Sequence, residues 1–481
     1  MTKYGQILIK NLKIMYIIDA KHRSVFSFSR NASVFLGGVT LWLFSVLPCS
    51  AANLLEVYQA ALTNDAVYQA ALATRLAQRE ALPQSMAALF PAISAQANVA
   101  ENYRDGTPTG GLMSPAQRSL TRGYRISIDQ PLFAIDKWIE VKQAKNRVAQ
   151  ADLALMQAKQ ALILRVVKSY VAVLLANDTL RLTQAEKTAY ATQLEQVQKR
   201  FQVGDAQLTM VYTAKAAYDQ SLAASITAQN ALRNSQESLR QLTTKTYSKL
   251  APFKHEIPWV IPQPASMAVW VTRATQHNLS LALSRYQRQL AEQAIKLKAA
   301  GHLPTLSLVG SYGRDTSQIA SADQNHSTIG LQLAVPIFAG GSTVSATRQA
   351  QYEFQKANAN FDDQYRQVIV ETRQTYNNIL ADISKLQAEQ QAIQSARLSL
   401  SSTEASFKAG TQTIVEVLLA EQAFYQAQRN AAQDQYQYVL DTLILKQKAG
   451  SLQVADIQQL NQWLIKSRAG TFSTQGEGSS K

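Results

Sequence analysis

The chain has 481 residues, a formal net charge of +15 and a single cysteine. One cysteine excludes a disulfide framework and a zinc site built on several thiolates, and the five histidines lack the spacing typical of a metal site. With only 19 Gly and 12 Pro and 46% hydrophobic residues, the composition favours long helices over disorder. The basic residues are dispersed rather than clustered, which argues against nucleic acid as a partner.

Residues 1–52 are predicted to be a signal peptide. A basic stretch is followed by the uncharged apolar run 34–47 and by small residues that end at Ala52, the order typical of an export signal. We expect cleavage after Ala52, with Met15 as an alternative start of translation. The apolar run is short for a membrane-spanning helix. A single membrane anchor and a lipidated Cys49 are the alternatives.

The chain carries an internal repeat. Pro-Leu-Phe at Pro131 recurs as Pro-Ile-Phe at Pro336, and Gly204 and Gly410 fall at corresponding places. Chance similarity between amphipathic helices would align leucines, but it does not easily align Pro and Gly in the same order. We therefore predict two copies of one structural unit, 53–242 and 269–449, joined by a linker, 243–268. A further segment, 450–466, and a disordered tail, 467–481, follow the second copy.

The first unit also aligns with the second upstream of these matches. Asn64 matches Asn278, and Pro91 matches Pro304 at an offset one residue different. Prolines and the phenylalanines that follow them mark the predicted transitions between strands and helices, because proline ends regular hydrogen bonding. The transition residues are Pro91, Pro131, Phe133, Pro304, Pro336 and Phe338.

Each unit is predicted to contain very long helices. Neither Gly nor Pro occurs in residues 132–203, 205–251, 342–409 or 411–449, and a helix of about 70 residues would be about 100 Å long. Apolar residues at multiples of seven predict coiled-coil packing of these helices. In the first unit the seam residues are Val148, Leu155, Leu162, Val166, Val173, Leu180, Leu194 and Phe201, and after Gly204 they are Val211, Tyr218, Leu232 and Leu239. In the second unit they are Ile379, Leu386, Ile393, Leu400 and Phe407, and after Gly410 they are Val417 and Phe424.

Two short segments with period-two alternation occur in each unit, near 92–103 and 123–132 and near 305–313 and 328–337. Alternation with tyrosines near the ends is typical of strands in a membrane β-barrel; two soluble hairpins packed on helices are the alternative. Four strands are too few to close a membrane barrel, and lipid does not tolerate an open edge. Three chains sharing one barrel would supply twelve strands, whereas two would supply only eight.

These features together resemble the TolC-type family of outer-membrane efflux and secretion channels. The resemblance covers residues 53–465 approximately, and its most specific stretches are 200–204 and 407–418, which match the family's two helix–helix turns. It implies a mixed α+β fold, in which a homotrimer shares a 12-stranded β-barrel and a long coiled-coil periplasmic α-barrel. The duplicated unit is then helix–strand–strand–helix, and its strands contact outer-membrane lipid. The resemblance also implies an equatorial belt around the α-barrel, formed by the linker 243–268 and the segment 450–466.

The function implied by the resemblance is that of a passive exit duct rather than an enzyme. Such a duct works with a periplasmic adaptor (membrane fusion) protein and an inner-membrane transporter, and needs no cofactor. Drugs, proteins and metals all remain open as cargo. The alternatives are an exported coiled-coil structural or adaptor protein without a channel, and a lipoprotein channel of the same superfamily.

The resemblance also implies a periplasmic gate at the turns. Glu416 falls on the first of two acidic positions in the family's tip, and Leu419 replaces the second acid. The family's polar gate links fall on Phe407, Gln412, Thr209 and Met210, and only the threonine is retained. Apolar contacts through Phe407 and Met210 are therefore the hypothesis for closure.

Exposed residues around the same two turns are the expected adaptor-docking surface. Glycine suits such turns because a left-handed backbone conformation is cheap only for glycine. The docking residues implied by the resemblance are Arg200, Phe201, Gly204, Phe407, Gly410 and Thr411.

Overall fold

The computed structural model describes residues 51–104, 108–109, 112–113, 117–254, 257–317 and 322–465. Residues 1–50 of the predicted signal peptide and the predicted tail 467–481 lie outside the described residues.

Each half of the chain begins with short helices, continues with antiparallel strands and ends with two long helices. The first half comprises α1 (Leu54–Asn64), α2 (Ala66–Arg79), α3 (Ala81–Ala87), β1 (Ala92–Arg104), β2 (Pro108–Thr109), β3 (Leu112–Met113), β4 (Gln117–Phe133), α4 (Ile135–Gln202) and α5 (Leu208–Thr243). The second comprises α6 (Met267–His277), α7 (Leu279–Ala299), β5 (Thr305–Ser317), β6 (Ala322–Ala334), α8 (Ser342–Lys408) and α9 (Ile414–Lys448), followed by α10 (Val454–Gln462). The long helices α4 and α8 span 68 and 67 residues.

Matching helix caps relate the two halves. The backbone N–H of Tyr68 donates to Asp65 at the start of α2, and that of Leu281 donates to Asn278 at the start of α7. Asp65 and Asn278 are separated by the same distance along the chain as Pro91 and Pro304. The structural counterpart of Asn278 is therefore Asp65, and the match to Asn64 was wrong by one residue, because a capping oxygen can come from Asp as well as Asn.

The four long strands form one antiparallel sheet in the order β1-β4-β5-β6. The pairing of β4 with β5 joins the two halves of the chain. The first two long strands extend beyond the alternating segments near 92–103 and 123–132, since Arg104 still pairs with Gln117.

The two strand-to-helix transitions differ. Pro131 and Phe133 belong to β4, and the register with β5 shifts between them, which a residue without an N–H explains. By contrast, β6 ends at Ala334, and Pro336 and Phe338 lie in an irregular segment before α8. At the other transitions, Pro91 directly precedes β1 and Pro304 directly precedes β5.

The two faces of the sheet differ in polarity. One row across all four strands contains Ile93, Ile128, Gly310 and Ile329, and Ile329 is 81% exposed. The neighbouring row on the opposite face contains Ser94, Ser127, Ser311 and Thr328, and the next on that face contains Gln96, Arg125, Gly313 and His326. The sheet therefore presents an apolar face and a polar face.

The main core joins α1, the middle of α4 and the end of α9 to the segments around them. The Tyr170 hydroxyl donates to the carbonyl of Ala251 at 2.7 Å, and bridges join Ala52 to Leu250 and Phe253 to Leu464. Residues of the predicted linker 243–268 and segment 450–466 thus pack on the same core. Part of α4 is apolar enough to cross a membrane, but half of that part is buried inside the protein.

Candidate functional site

Two tight turns join the long helices, one in each half, and together they form the candidate site. At the first turn, the N–H of Asp205 donates to the carbonyl of Arg200 at 2.8 Å and that of Gly204 donates to Phe201 at 3.0 Å. This pair of bonds is the Schellman motif, which closes a helix end. The second turn makes both bonds with Thr411, Ser406, Gly410 and Phe407 in the corresponding places.

Both turns need glycine for backbone reasons. Gly204 has φ +81° and Gly410 has φ +79°, and a Cβ added at either position would meet no atom within 4 Å. Space is therefore not the constraint. The left-handed conformation alone disfavours other residues.

Glu416, the predicted gate carboxylate, caps the start of α9. Its Oε2 accepts hydrogen bonds from the backbone N–H of Thr413 at 2.6 Å and from the Thr413 hydroxyl at 3.1 Å, completing a capping box. A carboxylate there is also favoured by the helix dipole. The Thr-x-x-Glu pattern was visible in the sequence and would have identified this role.

An apolar cluster under the two turns, here called the tip cluster, unites both halves of the chain. Phe407 is 4% exposed in it, and Met210 packs against it. The two residues expected to replace the polar gate links therefore share one apolar environment within a single chain. Its buried members are Tyr190, Val197, Ala214, Phe407, Ile414, Val417 and Leu418.

The other predicted gate residues lie on the surface of the chain. Thr209, Gln412 and Glu416 are exposed, and Leu419 is 58% exposed. The structure does not bury them together with Phe407 and Met210, and their role at a gate stays a prediction.

The predicted docking residues link the two turns to each other. Arg200 forms an ion pair with Asp205, with Nε 2.7 Å from Oδ2, and its guanidinium lies over the ring of Phe407. Phe201 is partly exposed at the end of α4. A groove of about 740 Å³ runs between the turns, lined among others by Gly204, Met210, Thr413 and Ile414.

Polar contacts join α4 to α9 just behind the tip cluster, at positions that no sequence pattern indicated. Arg429 Nη1 of α9 is 2.6 Å from Glu186 Oε2 of α4. Within α4, the Tyr190 hydroxyl donates to the other oxygen of the same carboxylate, Glu186 Oε1, at 3.4 Å. Gln193 Nε2 donates to Glu421 Oε1 at 3.1 Å. Glu186, Gln193 and Glu421 occupy buried helix positions usually held by apolar residues, so hydrophobic spacing gives no signal for them.

A second group of acids lies farther along, between α8 and α9. Lys385 Nζ is 2.7 Å from Asp434 Oδ1, while Asp441 is 6% exposed. Burial, and then the neighbouring Asp441 carboxylate, raises the pKa of Asp382 to about 7. Within the described ranges, no three His, Cys, Asp or Glu side chains are grouped so as to hold a metal ion.

Comparisons with known proteins agree with this architecture. The model of the outer membrane efflux protein family matches residues 57–245 and 270–451. Outer membrane protein TolC of Vibrio cholerae is 37% identical over 417 residues, covering 85% of this chain and 93% of that protein. The alkaline protease secretion protein AprF of Pseudomonas aeruginosa is 29% identical over 433 residues, covering 87% and 89%.

A solved structure shares the fold at low sequence identity. The outer membrane protein VceC of Vibrio cholerae superposes with a TM-score of 0.71 at 17% identity, covering 82% of this chain and 96% of VceC. The resemblance seen in the turns and repeats is therefore confirmed over most of the chain. The chain belongs to the outer membrane efflux protein family, a family of channel proteins rather than enzymes.

Proposed function

We propose that three copies of this chain form a passive exit duct in the bacterial outer membrane, with a large periplasmic extension. The observation that carries the proposal is the sheet with one apolar and one polar face. An apolar face suits lipid and a polar face suits a water-filled lumen.

Among the described residues, β1 and β6 each pair with a strand on one side only, and these two free edges support the trimer. Lipid requires every strand edge to be hydrogen-bonded, and four strands are fewer than the smallest barrels have. Three chains bring twelve strands. Because the sheet has an even number of strands in alternating directions, β6 of one chain can pair antiparallel with β1 of the next.

The two turns are where we expect the partner proteins of the duct to bind. A duct without an energy source of its own needs an inner-membrane transporter and a periplasmic adaptor that bridges the two. We assign the adaptor to the two turns, where the groove of about 740 Å³ and the exposed side chains of Phe201 and Val203 offer apolar surface next to the Arg200–Asp205 ion pair. The tip cluster supports closure by apolar packing, with Glu416 on the exposed surface beside it.

The description of the family as efflux proteins, together with a relative named as a protease secretion protein, supports cargo that includes small molecules and proteins. An exported coiled-coil protein without a channel is less well supported, because such a protein has no use for the apolar rows containing Ile329 and Leu331.

The proposal is tested by reconstitution. Protein purified from outer membranes in mild detergent should have the mass of a trimer and should form conducting channels in planar bilayers. In a strain lacking its own exit duct, the chain together with its adaptor and transporter should restore export. A stable monomer that never conducts would contradict the proposal.

A further inference from the structure

A buried acid and a buried amide face each other between α4 and α9. Glu421 is 2% exposed and Gln193 is 8% exposed. One hydrogen bond joins them, from Gln193 Nε2 to Glu421 Oε1 at 3.1 Å. The other carboxylate oxygen, Glu421 Oε2, and the amide oxygen, Gln193 Oε1, are both buried without a hydrogen-bond partner among the described residues.

Two acceptors without a donor are costly inside a protein. A single proton on Glu421 Oε2 removes both defects at once, because the resulting O–H can donate to Gln193 Oε1. A neutral carboxyl group and a primary amide each offer one donor and one acceptor in parallel. The pair then makes two hydrogen bonds instead of one.

The surroundings favour the neutral acid. Glu404 of α8 and Glu186 of α4 both act on Glu421 as like charges, and the guanidinium of Arg429 is engaged by Glu186. Gln193, Glu404 and Glu421 line a cavity of about 230 Å³, and the exposed residue Lys408 lines it as well. Tyr190 and Tyr425 are phenols that neighbour Glu421. A groove beside them is lined by Glu186, Tyr190 and Arg429, and the side chains that α5 contributes to this groove are uncharged.

We propose that Glu421 is protonated in this packed arrangement and forms a two-bond acid–amide pair with Gln193, which latches α9 to α4 behind the tip and is released when Glu421 ionises. The protonation is inferred from the Gln193–Glu421 hydrogen bond and from the two buried oxygens without a donor. Its consequence for opening of the tip rests on the proposed duct function.

The direction of the pH effect follows from linkage. Burial, with the charges of Glu404 and Glu186, raises the pKa of Glu421 from 4.5 to about 7, against the lowering effect of the Gln193 hydrogen bond. A raised pKa in the latched state means that this state binds the proton more tightly than the released state. The latched state therefore loses stability as pH rises from about 4.5 to about 7, and no further loss from this group follows above that range.

Infrared difference spectroscopy tests the protonation directly. The wild-type protein should show the carbonyl stretch of a protonated carboxyl group that disappears with a midpoint near pH 7. The comparison is made in an Asp382→Asn background, which removes the other carboxyl group whose pKa is raised to about 7. In that background the band should remain, and adding Glu421→Gln should abolish it, because an amide pair makes both hydrogen bonds without a titrating proton. Glu195→Gln, which removes an exposed carboxylate of α4 paired with Lys199, should keep it. Absence of the band from the wild type at pH 6 would overturn the proposal and leave water or a cation to fill the cavity.

Planar-bilayer recordings test the latch. The open probability of the wild type and of Glu195→Gln should rise at least tenfold between pH 5 and pH 7 and then level off, whereas Glu421→Gln should stay constant. A titrating band with identical pH dependence in Glu421→Gln and wild type would refute the latch while leaving the duct intact. Failure of every variant to conduct would count against the proposed duct, and the infrared band would still decide the protonation.

Discussion

The guanidinium carbon of Arg200 lies 5.0 Å from the centroid of the Phe407 ring. Arg200 belongs to the turn of the first half and Phe407 to the end of α8 in the second, so this contact ties the two turns together. The same guanidinium holds Asp205 by an ion pair.

Replacing Arg200 should loosen the coupling between the turns. Arg200→Lys keeps a charge for Asp205 but loses the planar group over the ring, and we expect a loss of about 0.5–1 kcal/mol in local stability. Arg200→Ala should cost somewhat more, because the aliphatic stem is also removed. Hydrogen exchange of the two turns measures the effect, and equal exchange in all three proteins would contradict the contact.

Gly204→Ala should destabilise the first turn by about 1–2 kcal/mol, since only the left-handed φ opposes the change. Gly450→Ala is the matched comparison, because its φ is +71° and its new Cβ would also meet the backbone carbonyl of His277. We expect a larger loss there, about 3 kcal/mol. Thermal unfolding in detergent should rank the two variants in this order; the reverse order would show that the turn has further constraints.

Glu416→Gln should reduce cation selectivity and relieve block by a trivalent cation added on the periplasmic side. Three carboxylates gathered at a narrow entrance favour cations. Glutamine preserves the capping box of α9, so trimer assembly should be unchanged. Single-channel conductance with and without the cation is the measurement. Unchanged selectivity and block would mean that Glu416 acts only as a helix cap.

Asp382→Asn should stabilise the protein at pH 8 and have little effect at pH 4. Because the pKa of Asp382 is raised from 3.8 to about 7, the protonated form supports the fold and its contribution is lost as pH rises across that interval. We expect a gain of about 1 kcal/mol at pH 8 after solvent screening. Asp434→Asn is the control, and it should destabilise at pH 8 because Lys385 loses its partner. Thermal unfolding at both pH values decides between them.

Ile329→Arg and Thr328→Arg place the same charge on opposite faces of β6. Ile329 lies in the apolar row and Thr328 in the polar row. An arginine that faces lipid should destabilise the barrel by about 2–4 kcal/mol near the bilayer centre. It should therefore lower the yield of assembled protein in the outer membrane. Arginine toward the lumen should be tolerated and alter only conductance. Equal yields would argue against the assignment of the two faces.

Much of the fold could be predicted because helix-breaking residues and the spacing of apolar residues act locally. The absence of Gly and Pro marks the long helices, and the Schellman glycines lie where the repeat places them. Strand ends were harder, since pairing with a neighbour extends a strand beyond its apolar alternation: β4 begins at Gln117, before the alternating segment. β6 ends where β5 no longer provides a hydrogen-bonding partner, and the sequence of one strand does not show where its neighbour ends.

The heptads predict the buried seam correctly in the middle of both long helices and less well toward the tip. In α8, Ile379, Leu386 and Phe407 are buried, whereas Ile393 and Leu400 are half-buried. In α4, Leu162, Val166 and Val173 are buried, but Leu180 and Leu194 are half-buried and Phe201 is exposed. The buried positions of the last third of α4 carry Leu182, Thr183, Glu186, Tyr190, Gln193 and Val197. A buried polar side chain needs a hydrogen-bond partner, and the partners of Glu186 and Gln193 on α9 lie more than 200 residues away in the sequence.

The pairing of β4 with β5 has a further consequence for assembly. It joins the halves of one chain by the same antiparallel relation that β6 and β1 of neighbouring chains would need to close a barrel. A twelve-stranded wall built this way is six copies of a two-stranded unit, with three of the joints covalently tethered and three left to association. A chain holding only one half would therefore have to assemble as a hexamer to enclose the same lumen, and duplication halves the number of molecules that must meet.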